Sequence, residues 1–335
     1  MIDVHVAIDG IIMYCDDSIS SLNLGNGYSI EKVYLENIPF KNKIVDGSGN
    51  LTINYLGSQL RDDIGVYFMC LHKRDVYQIQ GPQIIPGTRI TDRDMMCEEE
   101  LSQYKDREIQ YLTQVFSLLH LFKKGNVGYK EMFFEHHFQV MGFVNNTQKQ
   151  TSDNVSRNIV DNVIFSLTAE EVVACNHFLQ DYSGQEYNLL KDSIDEFVWG
   201  LEQVDVPTGF EQYTTALEMT LLGNNQQGKK EALAKRVSVL LESDPIRQRS
   251  LYDKIKNYYR FRSESLHEGD GRNITSIELK ELEEIVRSVL KKYLDFCKVA
   301  LTSNPSATWA EIKIAKINDL KNAVTIAKNA GILPT

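Results

Sequence analysis

Short apolar runs separated by glycine and charged residues dominate the first 90 residues. Candidate strands lie at residues 4–10, 11–14, 28–35, 44–55, 66–71 and 76–80. Their β-branched and aromatic side chains, with turn residues between them, are typical of strands. Gly10 separates the first two runs, and the charged residues 73–75 separate the last two. The pattern therefore predicts a mainly β module at the start of the chain.

The pattern changes to a helical period after Thr91, whose hydroxyl offers an N-cap. Apolar residues then recur with helical spacing as far as Leu119, and Gly125 follows as a stop signal. Residues 145–154 are polar and lack periodicity. We therefore predict a domain boundary or a loop there.

The remainder of the chain predicts helices. They are expected at residues 172–180, 187–201, 210–222, 229–242, 245–267, 276–301, 307–320 and 323–331. Thr168–Glu171 has the form of a capping box, Pro207 opens a helix, and Thr275 or Ser276 caps another. The predicted fold class is α+β: a β-rich N-terminal module with a helical extension at residues 1–150, then an all-α bundle at 151–335.

Composition restricts the cellular setting and the partners. The net charge is −10, which does not suit a protein that coats duplex DNA. No apolar run reaches membrane length and the first residues lack a secretory pattern, so we expect a cytoplasmic protein without a membrane partner. The five cysteines are scattered, which is typical of reduced, buried thiols.

A basic stripe interrupts this acidic chain. Its members are Arg247, Arg249, Lys254, Lys256, Arg260 and Arg262. Between residues 244 and 266 only Asp244, Asp253 and Glu264 oppose them. Any nucleic-acid contact is therefore expected to be local to this segment.

Arg262 and His267 are the candidate chemical groups of the stripe. Five residues on an ideal helix correspond to a rotation of about 140°, so the two side chains converge only near a helix end, which Gly269 and Gly271 would supply. Cleavage of RNA by its own 2′-OH needs a proton acceptor and donor, and an arginine can hold the phosphate oxygens. From these two residues alone, a histidine at a helix end beside a solvated arginine is the alternative interpretation.

Two motifs resemble the Apea-like branch of HEPN domains. Ala216-Leu217-Glu218 is followed by a run in which Tyr259, Arg262, Ser263 and His267 match the family's Tyr-x-x-Arg-Ser-x-x-x-His pattern. The resemblance covers roughly residues 187–301. It implies an α-helical bundle, a homodimer, and a metal-independent endoribonuclease of bacterial anti-phage defence that needs no cofactor.

The resemblance also implies residue roles. Arg262 would bind phosphate, His267 would act as acid or base, Ser263 is the polar residue after the arginine, and Glu218 would support the site. We expect Arg260, Lys256 and Tyr259 to contact RNA, and the N-terminal module to sense a phage-derived trigger. Glu268 stands where the family often has glycine and would repel phosphate. The alternative function is a non-catalytic module for dimerisation or for binding a ligand or partner.

Two other groups admit different interpretations. His136 and His137 suggest a metal site, but adjacent residues point apart on a helix or a strand, so we predict no metal there. The aromatic residues Tyr258, Tyr259 and Phe261 either stack on unpaired bases or pack in a core.

Overall fold

The computed structural model describes residues 2–52, 55, 58–79, 90–138, 149–154, 163–203, 205–223, 227–268 and 274–334. The chain divides into two compact units, residues 1–157 with 161–180, and 158–160 with 181–335. The first contains a sheet and the second is helical, so the α+β class with the β module first is confirmed. The boundary at residue 150 stays a prediction, because this division reflects contacts within one chain and not independent folding.

The described strands of the first unit form one antiparallel sheet. They are β1 Ile2–Met13, β2 Ser29–Tyr34, β3 Leu60–Arg61, β4 Val66–Ile79, β5 Gly128–Phe138 and β6 Lys149–Asn154. The order is β2-β4-β1-β5-β6, and the short strand β3 also pairs with β4. The long strands β1 and β4 are therefore central and carry most of the buried positions.

One face of the sheet packs against helix α2, Ile90–Phe122. A buried ion pair joins them: Lys73 Nζ lies 2.8 Å from Glu108 Oε1, and both side chains are at most 8% exposed. Glu108 also accepts hydrogen bonds from the hydroxyl of Tyr28 (2.7 Å) and the amide of Asn26. Removing one member of such a buried pair lowers the free energy of unfolding by about 3–5 kcal/mol. This network therefore holds the helix at one register on the sheet.

The opposite face of the sheet carries a second apolar core. Ile11 and Phe68 of the central strands pack there with residues from the segment 38–55, which contains the short helix α1, Lys41–Ile44. The rings of Phe40 and Phe133 stack with their centroids 4.3 Å apart. Two buried faces explain why the central strands are nearly continuous apolar runs.

Both interruptions predicted in the central strands are wrong, because β1 and β4 each run through them. Gly10 stands at an irregularity of register, where a Cβ atom would lie 2.5 Å from the sulfur of Met132. The charges at 73–75 have partners: Lys73 pairs with Glu108, and Arg74 lies 3.0 Å from Asp9. Glycine and paired charges are thus compatible with a strand here.

Two neighbouring predictions also differ from the structure. Residues 44–55 were expected to form two strands, but the described residues of this range contain one antiparallel bridge, between Val45 and Leu51. Residues 149–154, expected to be a loop, form β6 at the edge of the sheet. An edge strand bonds on one side only and exposes much of its surface, so polar residues without an apolar period can occupy it.

The helices that follow agree with most predicted positions. They are α3 Ala169–Tyr182, α4 Gln185–Leu201, α5 Val206–Leu221, α6 Lys229–Leu241, α7 Pro245–Glu268, α8 Ser276–Ser303 and α9 Trp309–Asn329. The capping box at Thr275 is present with Glu278 as its partner. The two helices predicted at 307–331 are in fact the single helix α9, which a second capping box opens at Thr308.

Helices α4 and α5 pack closely against each other, and both carry residues of the candidate site described below. The backbone at Gly200 approaches the ring of Tyr213 so closely that a Cβ atom there would lie 2.4 Å from Tyr213 Cε1. Phe197, Phe210 and Leu217 are fully buried beside this contact. The glycine is therefore a packing requirement of the helical core.

Four of the five cysteines lie among the described side chains. Cys15, Cys70, Cys175 and Cys297 are buried, as expected of small apolar side chains. Cys97 lies outside the described side chains.

No helix in the described part of the chain has the length and apolar character that crossing a membrane would need.

Candidate functional site

Helix α7 carries the predicted chemical residues. It begins at Pro245, where the Asp244 carboxylate accepts a hydrogen bond of 2.9 Å from the backbone of Arg247, and it ends at Glu268. The predicted helix from residue 245 to 267 is therefore confirmed. The side chains of Ser263 and His267 lie outside the described residues, as do residues 269–273, which include both glycines.

The helix sets the relative position of Arg262 and His267. Since both residues lie within α7, their Cα atoms differ by a rise of about 7.5 Å and a rotation of about 140° about its axis. The two backbone positions therefore lie on different faces of α7, and α7 ends one residue after His267.

Arg262 belongs to a compact polar cluster between α5 and α7. Its guanidinium Nη1 donates to Glu218 Oε1, and the two side chains are 18% and 15% exposed. The guanidinium also lies over the ring of Tyr259, 5.8 Å from its centroid. The structure thus brings together three residues predicted from the sequence: Glu218, Tyr259 and Arg262.

Burial determines the electrostatics of this cluster. Burial and a hydrogen bond to Glu218 raise the pKa of Tyr259 to about 12. The Nε donor of Arg262 is buried and has no hydrogen-bond partner among the described residues. A buried donor without an acceptor is costly, so its presence here marks Arg262 as a candidate functional group.

Glu218 has a second cationic neighbour outside the helix pair. Its Oε2 atom lies 3.4 Å from Nζ of Lys229, at the first residue of α6. One carboxylate therefore connects Arg262 on α7 with Lys229 on α6.

A pocket of about 360 Å³ opens beside this carboxylate. Its polar and aromatic lining comprises Asp192, Ser193, Glu218, Lys229, Trp309 and Lys313. Lys313 donates a hydrogen bond to the carbonyl of Met219, in the last turn of α5. Burial and the nearby Arg236 lower the pKa of Lys313.

The rest of the basic stripe is largely engaged by carboxylates. Arg249 pairs with Asp253 at 3.0 Å, Lys254 with Glu281 at 2.7 Å, and Lys256 with Glu231 at 2.5 Å. Arg260 is exposed, and its guanidinium lies 5.4 Å from the ring centroid of Phe261. Four of the six cations of the stripe, Arg262 included, therefore pair with carboxylates, and Lys256 pairs with a different carboxylate from Arg262. The stripe is not a continuous uncompensated positive surface.

For Tyr258, the structure shows which of the two interpretations, base stacking or core packing, applies. Tyr258 is buried, meets Phe210 edge to face, and donates its hydroxyl to Glu281. It is a core residue and is not available for stacking on a base. Tyr259 and Phe261 remain partly exposed.

Lys229, Lys313 and Trp309 were missed by reasoning from the sequence. They belong to α6 and α9 and follow Glu218 in the chain by 11 to 95 residues. No motif joins them, because their association depends on how α5, α6 and α9 pack. A lone lysine at a helix start gives no signal for a site.

The predicted absence of a metal site at His136 and His137 stays a prediction. Both residues lie in β5. The side chain of His137 lies outside the described residues. Among the described side chains, no group of three or more His, Cys, Asp and Glu residues is arranged to hold a metal ion.

Comparison of the chain with protein-family models, with curated proteins and with solved structures gave no match. The resemblance to HEPN domains therefore rests on the motif residues, and their function is argued from geometry.

Proposed function

We propose that the protein is a homodimeric, metal-independent endoribonuclease of the HEPN type, acting in the cytoplasm in bacterial anti-phage defence. The observation that supports this most is the environment of Arg262. Its guanidinium is ordered by Glu218 and Tyr259, is partly exposed, and keeps a buried Nε donor without a described acceptor. Such a donor fork suits a phosphate oxygen.

The chemistry assigned to the two residues is simple. His267 would remove the proton of a ribose 2′-OH or protonate the leaving 5′-oxygen, since imidazole titrates near neutral pH. Arg262 would stabilise the charge that develops on the pentavalent phosphorus. Ser263, which follows Arg262, would add a hydroxyl donor beside the same phosphate.

The helix geometry supports a site made from two copies. Arg262 and His267 of one chain lie about 140° apart around α7, whereas a second α7 can bring its own histidine opposite the first arginine. In this proposal, the N-terminal unit senses a phage-derived trigger and controls the assembled site.

Substitution of the two proposed catalytic residues tests the nuclease. We expect His267→Ala to lower RNA cleavage by about 100-fold or more, because a general acid or base contributes that much. Arg262→Ala should cause a loss of about 100-fold through the missing phosphate contact. Lys321→Ala is the control, because it removes an exposed positive charge of α9 that lies outside the basic stripe, and it should retain full activity.

The measurement is cleavage of total cellular RNA by the purified protein, alongside growth and phage plating of cells that express each variant. Far-UV circular dichroism should show the same helical content in all of them. Undiminished cleavage, toxicity and phage protection by His267→Ala would refute the nuclease.

The pairing of the basic stripe favours a second candidate, a non-catalytic module for dimerisation or partner binding. Lys254, Lys256 and Arg262 each contact a carboxylate from another helix, as in a structural interface. This candidate predicts a dimer by gel filtration with light scattering, together with no RNA cleavage by the wild-type protein.

A further inference from the structure

Positive charge accumulates around the pocket between α4, α5, α6 and α9. Lys229 and Lys313 line it, Arg236 lies close enough to Lys313 to lower its pKa, and Arg262 lies across Glu218. The lining itself also holds the carboxylates of Glu218 and Asp192, which equal its two lysines in number. Arg236 and Arg262 stand beside the lining and add positive charge to this part of an acidic chain.

The end of α5 explains only part of this charge. The carbonyl of Leu221 accepts from Arg236 Nη1 at 2.6 Å, and that of Met219 accepts from Lys313. A helix C-terminus carries about half a negative charge, whereas these two side chains carry two positive charges. The ammonium of Lys313 is also half-buried, which disfavours its charged form unless an anion lies near it.

The dimensions and lining suit a small ligand. A volume of about 360 Å³ falls at the lower end of small-molecule sites. Trp309 supplies an aromatic wall and Ser193 a hydroxyl beside the two ammonium groups. Each ammonium has three donors, of which Lys313 uses one for Met219.

We propose that this pocket binds the phosphate group of a small ligand between Lys229 and Lys313. A nucleoside monophosphate and the phosphorylated end of an RNA share this chemistry. The site goes beyond the proposed nuclease and does not depend on it. Because Glu218 contacts both Lys229 and Arg262, an anion at Lys229 competes for the carboxylate that also holds Arg262.

Calorimetric titration of the full chain tests the pocket. The probes are inorganic phosphate, adenosine 5′-monophosphate and a short 5′-phosphorylated RNA, with sulfate as the competing anion. The RNA arm uses His267→Ala protein so that no cleavage occurs. We expect saturable binding of at least one probe, weakened by added salt.

Substitutions of the two lysines locate the site. The double variant K229M/K313M should bind about tenfold more weakly or worse, since it removes both charged hydrogen-bond donors of the pocket. K230M/K321M removes the same charge from two lysines that do not line the pocket and should bind as the wild type does. Lys229→Met alone changes an exposed side chain, so its weaker binding is measurable even if the double variant is unstable.

The outcomes are decisive in both directions. Preference for the nucleotide or for the RNA identifies the source of the phosphate and supports the site. Absence of saturable binding by all three probes, or wild-type affinity of K229M, would overturn it. If His267→Ala loses RNA cleavage but still binds phosphate, the pocket and the proposed nuclease are separate sites. Either proposal can then fail without the other.

Discussion

At the scale of single residues, Glu218 controls the state of the candidate site. Its two oxygens contact Arg262 and Lys229, and Tyr259 hydrogen-bonds to it as well. A carboxylate in this position orders the guanidinium and also offsets the charge that would attract phosphate. Arg262 is therefore positioned but partly neutralised.

Removing the charge of Glu218 while keeping its shape tests this balance. We expect Glu218→Gln, made in His267→Ala protein so that RNA stays intact, to bind RNA severalfold more tightly, because Arg262 and Lys229 lose an opposing charge. The affinity is measured by fluorescence anisotropy at two salt concentrations.

Glu242→Gln is the control, since it changes the net charge equally at a partly exposed residue one position beyond α6. Equal RNA affinity of Glu218→Gln and its parent would show that Arg262 is not the phosphate contact.

At the scale of elements, α4 and α5 pack so closely that only glycine fits at position 200. The ring of Tyr213 on α5 occupies the space where a Cβ of Gly200 on α4 would stand. Tyr213 is 2% exposed and has little room to move. The same two helices carry Glu218 and Asp192, so their separation sets the width of the pocket.

Gly200→Ala therefore tests the helix pair. The added methyl group should destabilise the helical unit by about 1–3 kcal/mol through overpacking, despite the higher helix propensity of alanine. Urea denaturation followed by far-UV circular dichroism gives the free energy of unfolding.

Gly223→Ala is the matched control, because its Cβ would meet no atom within 4 Å. Similar stability of the two variants would mean that α4 and α5 do not pack as described.

At the scale of the whole molecule, the proposed composite site requires two copies of the chain. The backbone positions of Arg262 and His267 lie about 140° apart around α7. In the proposed site, each phosphate would meet an arginine from one copy and a histidine from the other. The chain would then behave as a dimer of 38.3 kDa protomers.

Co-expression of Arg262→Ala with His267→Ala tests this arrangement. Half of the randomly formed dimers contain one chain of each kind, and each of these keeps one intact site of two. RNA cleavage should therefore recover to about a quarter of the wild-type rate, although each variant alone is inactive. Purified heterodimers without activity would show that both groups act from the same chain.

The sequence by itself determined most of the elements. Capping boxes and apolar periods located the helices to within a few residues, since these signals act through neighbours along the chain. The resemblance also implied that Glu218 supports the site, and the structure places Glu218 beside Arg262.

Only the tertiary structure decided which charges are balanced. Within its own segment, the basic stripe has three opposing carboxylates, but Glu218, Glu231 and Glu281 from other helices reach Arg262, Lys256 and Lys254. Likewise, Lys73 is compatible with a strand interior because Glu108 meets it from α2. Electrostatic balance depends on distance in space, which local sequence patterns do not encode.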